Sequence, residues 1–106
     1  MVSIEDFKKI EIIVAQIKDV AEHPDADRLY VFKVDTGKDE RQLVAGIRKF
    51  YTKEALLNRR VIIINNLQQA TIRGVESQGM ILAVSDDKGI ALLQADREVP
   101  LGSLIR

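Results

Sequence analysis

The run Ile10-Glu11-Ile12-Ile13-Val14-Ala15-Gln16-Ile17 restricts this chain more than any other feature. It is dense in β-branched residues, which stiffen the side chain and favour extended backbone over helix. Apolar residues stand at 10, 12 and 14 and then at 15 and 17, so the two-residue period slips near Ala15. A β-bulge there accounts for the slip, and a bulged strand bends enough to serve two parts of one barrel.

The rest of the chain supplies the barrel's other parts. Ser3 before Glu5 and Asp6 reads as a capped helix over about residues 4 to 9. His23-Pro24-Asp25-Ala26-Asp27 is a turn, because proline fixes a dihedral and aspartates bond nearby amides. Leu29 to Val34 is a second strand, and Thr36-Gly37-Lys38-Asp39 turns it into a third, Arg41 to Ala45. Phe50 to Asn58 holds helix formers, with Thr52 to cap them and Asn58 to stop them. Arg60 to Asn65 is a fourth strand, Asn66 to Gln78 a polar stretch, Gly79 to Val84 a fifth strand and Ile90 to Leu93 a short sixth. The expected fold is all-β: a five-stranded OB-fold barrel with a short helix between strands 3 and 4, an N-terminal helix and a C-terminal extension. One domain fills the 106 residues, divided as helix 1–9, barrel 10–85 and extension 86–106. A small barrel of SH3 type leaves the helix before strand 4 less well explained.

Composition narrows the chemistry. The chain has no cysteine, which excludes disulfides, thiolate zinc sites, iron–sulfur clusters and thiol catalysis, and suits a cytoplasmic setting. No apolar run approaches the roughly 20 residues needed to span a bilayer. Gly74 to Gly79 has the glycine spacing of a phosphate loop, but Met80 and Ile81 stand where Lys and Ser or Thr are needed. His23 with Asp25 and Asp27 reads as a satisfied turn, since a metal site needs further ligands nearby. No catalytic constellation, metal site or cofactor site emerges, and an enzyme is not expected.

The formal net charge is +0, which at first argues against a nucleic-acid partner. By segment the balance is uneven: −4 over residues 1–27, +5 over 28–60 and −1 over 61–106. The basic third spans strands 2 and 3, the face with which OB-folds bind oligonucleotides or oligosaccharides. Aromatic residues are few (Phe7, Tyr30, Phe32, Phe50 and Tyr51). That fits shape recognition of folded RNA better than base stacking along a single strand. Asn66, Gln68, Gln69, Thr71, Arg73, Ser77 and Gln78 give the 66–78 stretch hydrogen-bonding groups suited to sugars and base edges. In the extension, Ile90, Leu92, Leu93, Val99, Leu101, Leu104 and Ile105 either pad the chain's own barrel or form a symmetric dimer interface.

Asp6-Phe7, Val14-Ala15, His23-Pro24-Asp25-Ala26-Asp27-Arg28-Leu29, Val34 to Gly37, Val44 to Ile47, Asn66-Leu67, Arg73-Gly74 and Ser77 to Ala83 carry a resemblance across residues 6 to 106. The chain resembles the tRNA-binding domain at the C-terminus of methionyl-tRNA synthetase, found also in free-standing tRNA-binding proteins and in endothelial-monocyte-activating-polypeptide-like proteins. The resemblance implies an OB-fold that binds tRNA by shape and assembles as a homodimer through its tail. It implies tRNA contacts from Asn66, Ser77 and Met80, with Arg73 beside them, and a structural role for the His23 turn. Ile13 and Gln69 depart from the family pattern, which often has Arg and Pro there. Some relatives resemble secretion chaperones.

The expected function is therefore non-catalytic tRNA binding that raises the affinity of methionyl-tRNA synthetase for tRNA, from an appended domain or a separate small subunit. Lys33, Arg41, Arg48 and Lys49 are expected to meet phosphates, and Asn66, Arg73, Ser77 and Met80 to contact the RNA. Ile90, Leu92, Val99, Leu101, Leu104 and Ile105 are expected at a homodimer interface. The alternative is a peptide-binding, secretion-chaperone-like protein using the same barrel surface.

Overall fold

The computed structural model describes residues 1–106. Helix α1 (Ile4–Lys8) starts where the Ser3 hydroxyl accepts the Asp6 amide N–H. Strands β1 (Ile12–Glu22), β2 (Tyr30–Asp35) and β3 (Glu40–Ala45) precede helix α2 (Lys53–Leu56), and β4 (Arg60–Ile64) follows it. Then come β5 (Ala70–Ile72), β6 (Val75–Ser77), β7 (Met80–Ile81), β8 (Ala83–Asp86) and β9 (Gly89–Leu92). Thr52 caps α2 by accepting the Ala55 amide, and Asn58 takes a positive φ of 67° just beyond it.

The main sheet runs in the order β3-β2-β1-β4-β7. β1 is shared: residues 12–16 pair with β4 and residues 16–22 pair with β2, both antiparallel. The outer strands approach each other through side chains. Gln42 N–H donates to Gln78 Oε1, Val44 N–H donates to Ser77 Oγ, and Gln78 N–H donates to the Gln42 carbonyl. The result is a nearly closed five-stranded barrel of OB type, mostly β with two short helices. Its core contains Ile13, Ala15, Ile17, Phe32, Leu43, Leu56, Val61, Ile63 and Ile81.

The structure moves the slip in β1. The register shifts between Ile17 and Asp19, not near Ala15. Before it Ile13, Ala15 and Ile17 point inward; after it Val20 does. Apolar residues at 12 and 14 do not mark a change of phase, because the outer face of this half of β1 is itself covered. The tail pairs along the free edge there, where Val14 N–H donates to the Ser103 carbonyl, Gly102 N–H to Val14 and Ile105 N–H to Ile12. Its Val99, Leu104 and Ile105 line one groove with Ile12 and Val14. This covered wall also explains why β4 reads as an unbroken Val61-Ile62-Ile63-Ile64, as strands buried on both faces do. β2 alternates instead, with Tyr30, Phe32 and Val34 buried and Lys33 exposed, so its outer face meets solvent, whereas β3 is half-buried or buried from Arg41 to Ala45.

Two further expectations change. Residues 79–84 do not form one strand: β7 pairs with β4, and β8 turns away into a hairpin with β9. That hairpin is closed by the Asp86 carboxylate, which accepts the Lys88 amide. Within the polar 66–78 stretch, β5 and β6 form a hairpin around Arg73 and Gly74, both at positive φ.

Candidate functional site

The β2–β3 wall, exposed at Lys33, is flanked by the 23–29 turn and the β5–β6 hairpin, which covers part of β3. Gln42 fixes the hairpin's base to the wall, its Nε2 donating to the Glu76 carbonyl at 2.9 Å. Gly79 turns the chain from the hairpin into β7. Its φ is 153°, and a Cβ there would sit 2.7 Å from the Ile64 carbonyl oxygen, so no larger residue fits. At the tip, Arg73 takes φ 52° and Gly74 φ 86°, the backbone of a two-residue turn with both central residues left-handed. The Arg73 guanidinium donates to the Asp25 carbonyl at 3.3 Å, so the tip reaches the turn.

The eight expected RNA-contact residues divide by environment. Lys33, Lys49, Asn66, Arg73 and Met80 are exposed, Met80 at 48%. Lys33, Lys49 and Arg73 make no ion pair. Arg48 is held by Glu22 at 3.1 Å, a carboxylate that also pairs with Lys53. Arg41 is half-buried and occupied: it donates to the Asn65 carbonyl at 2.8 Å and the Gln78 carbonyl at 3.4 Å, and pairs with Asp39. It therefore ties β3 to both ends of the hairpin segment.

Asn66 and Ser77 both bond to backbone, Asn66 at the surface and Ser77 in the interior. Asn66 Oδ1 accepts the Glu11 amide at 2.8 Å, and its Nδ2 donates to the Lys9 carbonyl at 2.7 Å. Ser77 is 3% exposed; its hydroxyl accepts the Val44 amide and donates to the Gly79 carbonyl, both at 3.0 Å. Ser77 shapes the loop from within, while the exposed Asn66 ties the loop's start to the segment before β1. Arg28 is a residue that sequence reasoning did not single out: it is exposed, beside the turn, and makes no ion pair. Its place in the basic third beside the proline turn was the available signal.

Tyr30 and Phe32 belong to β2 but point into the core, while Phe50, next to Lys49 in the chain, is 46% exposed. Phe32 and Tyr30 are buried and meet edge to face, 5.9 Å apart. The Tyr51 hydroxyl accepts the Leu92 amide, and Arg59 lies over its ring. The one clearly displaced acid is Asp39, whose carboxyl is held below its usual value first by a 2.5 Å hydrogen bond from Thr36 and then by Arg41 and Lys38.

Of the residues expected at a dimer interface, Val99, Leu104 and Ile105 line one apolar groove with Ile12, Val14, Ile62, Leu82 and Leu93. Ile90 and Leu92 pack instead against the chain's own core. Leu101 sits against Gly37, at the turn between β2 and β3. No helix is long and apolar enough to cross a membrane.

Residues 12–104 match the family model described as a putative tRNA-binding domain. The chain is 55% identical over 105 residues to a methionine–tRNA ligase of Thermococcus onnurineus, covering 99% of this chain and 14% of that protein. It is 44% identical over 106 residues to the corresponding ligase of Nanoarchaeum equitans, again 14% of that protein. Among solved structures, a MetRS-related protein from Pyrococcus horikoshii superposes with a TM-score of 0.92 at 29% identity, over 100% of this chain and 98% of that one. The CsaA chaperone protein from Picrophilus torridus matches with a TM-score of 0.92 at 29% identity, over the whole of both chains.

Proposed function

This chain belongs to the family of putative tRNA-binding domains, and from that premise we propose that it is a non-catalytic module that binds tRNA for methionyl-tRNA synthetase. The observation that carries the reading is a set of exposed cations: Arg28, Lys33, Lys49 and Arg73 stand exposed without an ion pair around β2 and a polar hairpin, with Phe50 the one exposed aromatic ring. Such a surface supplies phosphate contacts that position a folded RNA, without the stacked rings that hold an unstructured strand. Arg41 and Ser77 act from within by holding the hairpin, while Asn66 stays exposed at the start of the loop and Met80 offers an apolar contact beside it. Arg48 joins the phosphate contacts only by sharing or leaving Glu22. The net charge of zero keeps attraction to polyanions in general low while this face stays locally basic.

The relatives span far more chain than this one, so the partnership with a synthetase is a proposal about a larger assembly. The module supplies affinity for tRNA, and the catalytic machinery lies in other parts. We place the assembly in the cytoplasm as a homodimer, with a second copy on the groove of Val99, Leu104 and Ile105. The chaperone match supports a second reading, peptide binding, because that groove is apolar and Leu104 is 52% exposed. The higher identity to the ligases favours tRNA.

Alanine at Lys33, Lys49 and Arg73 tests the assignment. Each change should weaken tRNA binding and lower the slope of log affinity against log salt by about one. Unchanged slopes for all of them would move the RNA to another face. Binding of an unfolded polypeptide in preference to tRNA would favour the second reading.

A further inference from the structure

We infer that His23, the chain's sole histidine, is a positioning residue of the RNA-binding face, clamping the 23–27 turn to the β5–β6 hairpin through one defined tautomer. The inference rests on the tRNA-binding reading above.

His23 is 3% exposed. Its Nδ1 lies 3.0 Å from the Asp25 backbone nitrogen, and its Nε2 lies 3.1 Å from the Ile72 carbonyl oxygen. The backbone N–H of Asp25 can only donate, so Nδ1 must be the bare, accepting nitrogen. The carbonyl of Ile72 can only accept, so Nε2 must carry the proton. A single neutral tautomer satisfies both contacts. The ring thus builds its own turn with one nitrogen and reaches 49 residues along the chain with the other.

The far contact falls where the hairpin needs it. β5 and β6 have three residues each, too few to hold a hairpin in place by their own pairing. The hairpin's base is fixed to β3 through Ser77 and Gln78, but its tip has no strand beside it. Ile72 immediately precedes the strained Arg73, and the Arg73 guanidinium reaches the same turn at Asp25. Two ties therefore join the tip to the turn, one buried and one exposed. Arg28 and Arg73 are carried by these two segments, so the clamp fixes the spacing between two of the proposed phosphate contacts. Groups ordered before RNA arrives do not lose that freedom on binding, and affinity gains accordingly.

Two substitutions separate the ring's two contacts. In His23→Asn the short amide oxygen can still accept the Asp25 N–H, as in an Asx turn, but the side chain stops short of Ile72. In His23→Gln the terminal amide reaches the depth of Nε2 and can donate to the Ile72 carbonyl. Amide hydrogen exchange of the free protein and tRNA titration would be measured on both variants and on the parent. His23→Asn should speed exchange across residues 70–77, leave β1 to β4 unchanged and weaken tRNA binding by about tenfold, as the loss of one buried hydrogen bond implies. His23→Gln should keep the hairpin protected and bind tRNA within about threefold of the parent.

Unchanged hairpin exchange in His23→Asn would overturn the clamp while leaving the functional reading in place. So would a His23→Gln protein no better than His23→Asn in both measurements. A parent protein that binds no tRNA would instead overturn the functional reading, and the positioning role with it, whatever the exchange data show.

Discussion

Gln78 meets Gln42 twice, its backbone N–H donating to the Gln42 carbonyl at 2.8 Å and its side-chain Oε1 accepting the Gln42 N–H at 2.9 Å. A side-chain carbonyl thus stands where a neighbouring strand's backbone carbonyl would be, and the barrel's seam is joined without a full strand. Ser77 repeats the device one step along by accepting the Val44 N–H. The seam and the candidate site share these residues, so changes here act on stability as well as on binding.

Replacing Gln78 with Leu removes the acceptor and leaves the Gln42 N–H to whatever water reaches it. The cost should be about 1 kcal/mol, because both residues are half-buried and solvent offers partial compensation. A urea denaturation midpoint measures it, and faster exchange of the Gln42 amide should accompany the loss. An unchanged midpoint would mean the seam contributes nothing.

Ser77→Ala should cost more, about 1–3 kcal/mol, since the Val44 N–H it orphans is buried. Denaturation of the free protein checks this. A stability equal to the parent's would mean that the Ser77 hydroxyl contributes nothing to holding the seam.

Thr36→Val should raise the Asp39 pKa toward its ordinary value, because the Thr36 hydroxyl is the largest of the causes that lower it. A carboxyl whose folded-state pKa is depressed stabilises the fold above its unfolded pKa and loses that contribution as pH falls through the folded value. The stability difference between parent and variant should therefore be constant at neutral pH and shrink in acid, below about the ordinary carboxyl value of 3.8. Carboxyl carbon shifts followed by NMR read the titration directly. The change is small, since Asp39 is largely exposed and solvent screens it.

Leu104→Glu tests the proposed homodimer better than removal of the tail. The tail occupies the outer edge of β1 through residues 102–105, so deleting it exposes strand edge as well as groove. Leu104 projects from that paired segment and is half exposed. Light scattering should give twice the chain mass of 11.9 kDa for the parent and the single mass for the variant. A parent already at the single mass would refute the dimer.

Local signals were legible in the chain, and non-local ones were not. Thr52 and Asn58 mark the limits of α2 because capping and stopping are decided within a few residues. β2 is legible because its outer face is wet and the alternation survives, and β3 because a polar turn joins it to β2 as a hairpin. The bulge is misread by three residues because Ile12 and Val14 are covered by a tail some ninety positions away. The β5–β6 hairpin hides in a polar stretch, since six strand residues and an Arg-Gly turn carry little pattern. In the site, polarity alone does not say which way a group bonds. Ser77 reads as a contact, yet it is buried and bonds to Val44 and Gly79, whereas Asn66 bonds to Lys9 and Glu11 while remaining exposed. Lys33, Lys49 and Arg73 are exposed as a cation on an outward position is expected to be, while Arg41 is drawn in by two carbonyls that no spacing reveals.

The central claim is that a chain of zero net charge binds folded tRNA through a local basic face. Titrating tRNA into the protein at low and at moderate salt, beside an unstructured single-stranded RNA of equal length, tests it most directly. The expected result is preferential binding of tRNA, with an affinity that falls steeply as salt rises, since neutralised phosphates release their counterions. No binding at low salt, or equal affinity for tRNA and the single strand, would contradict it.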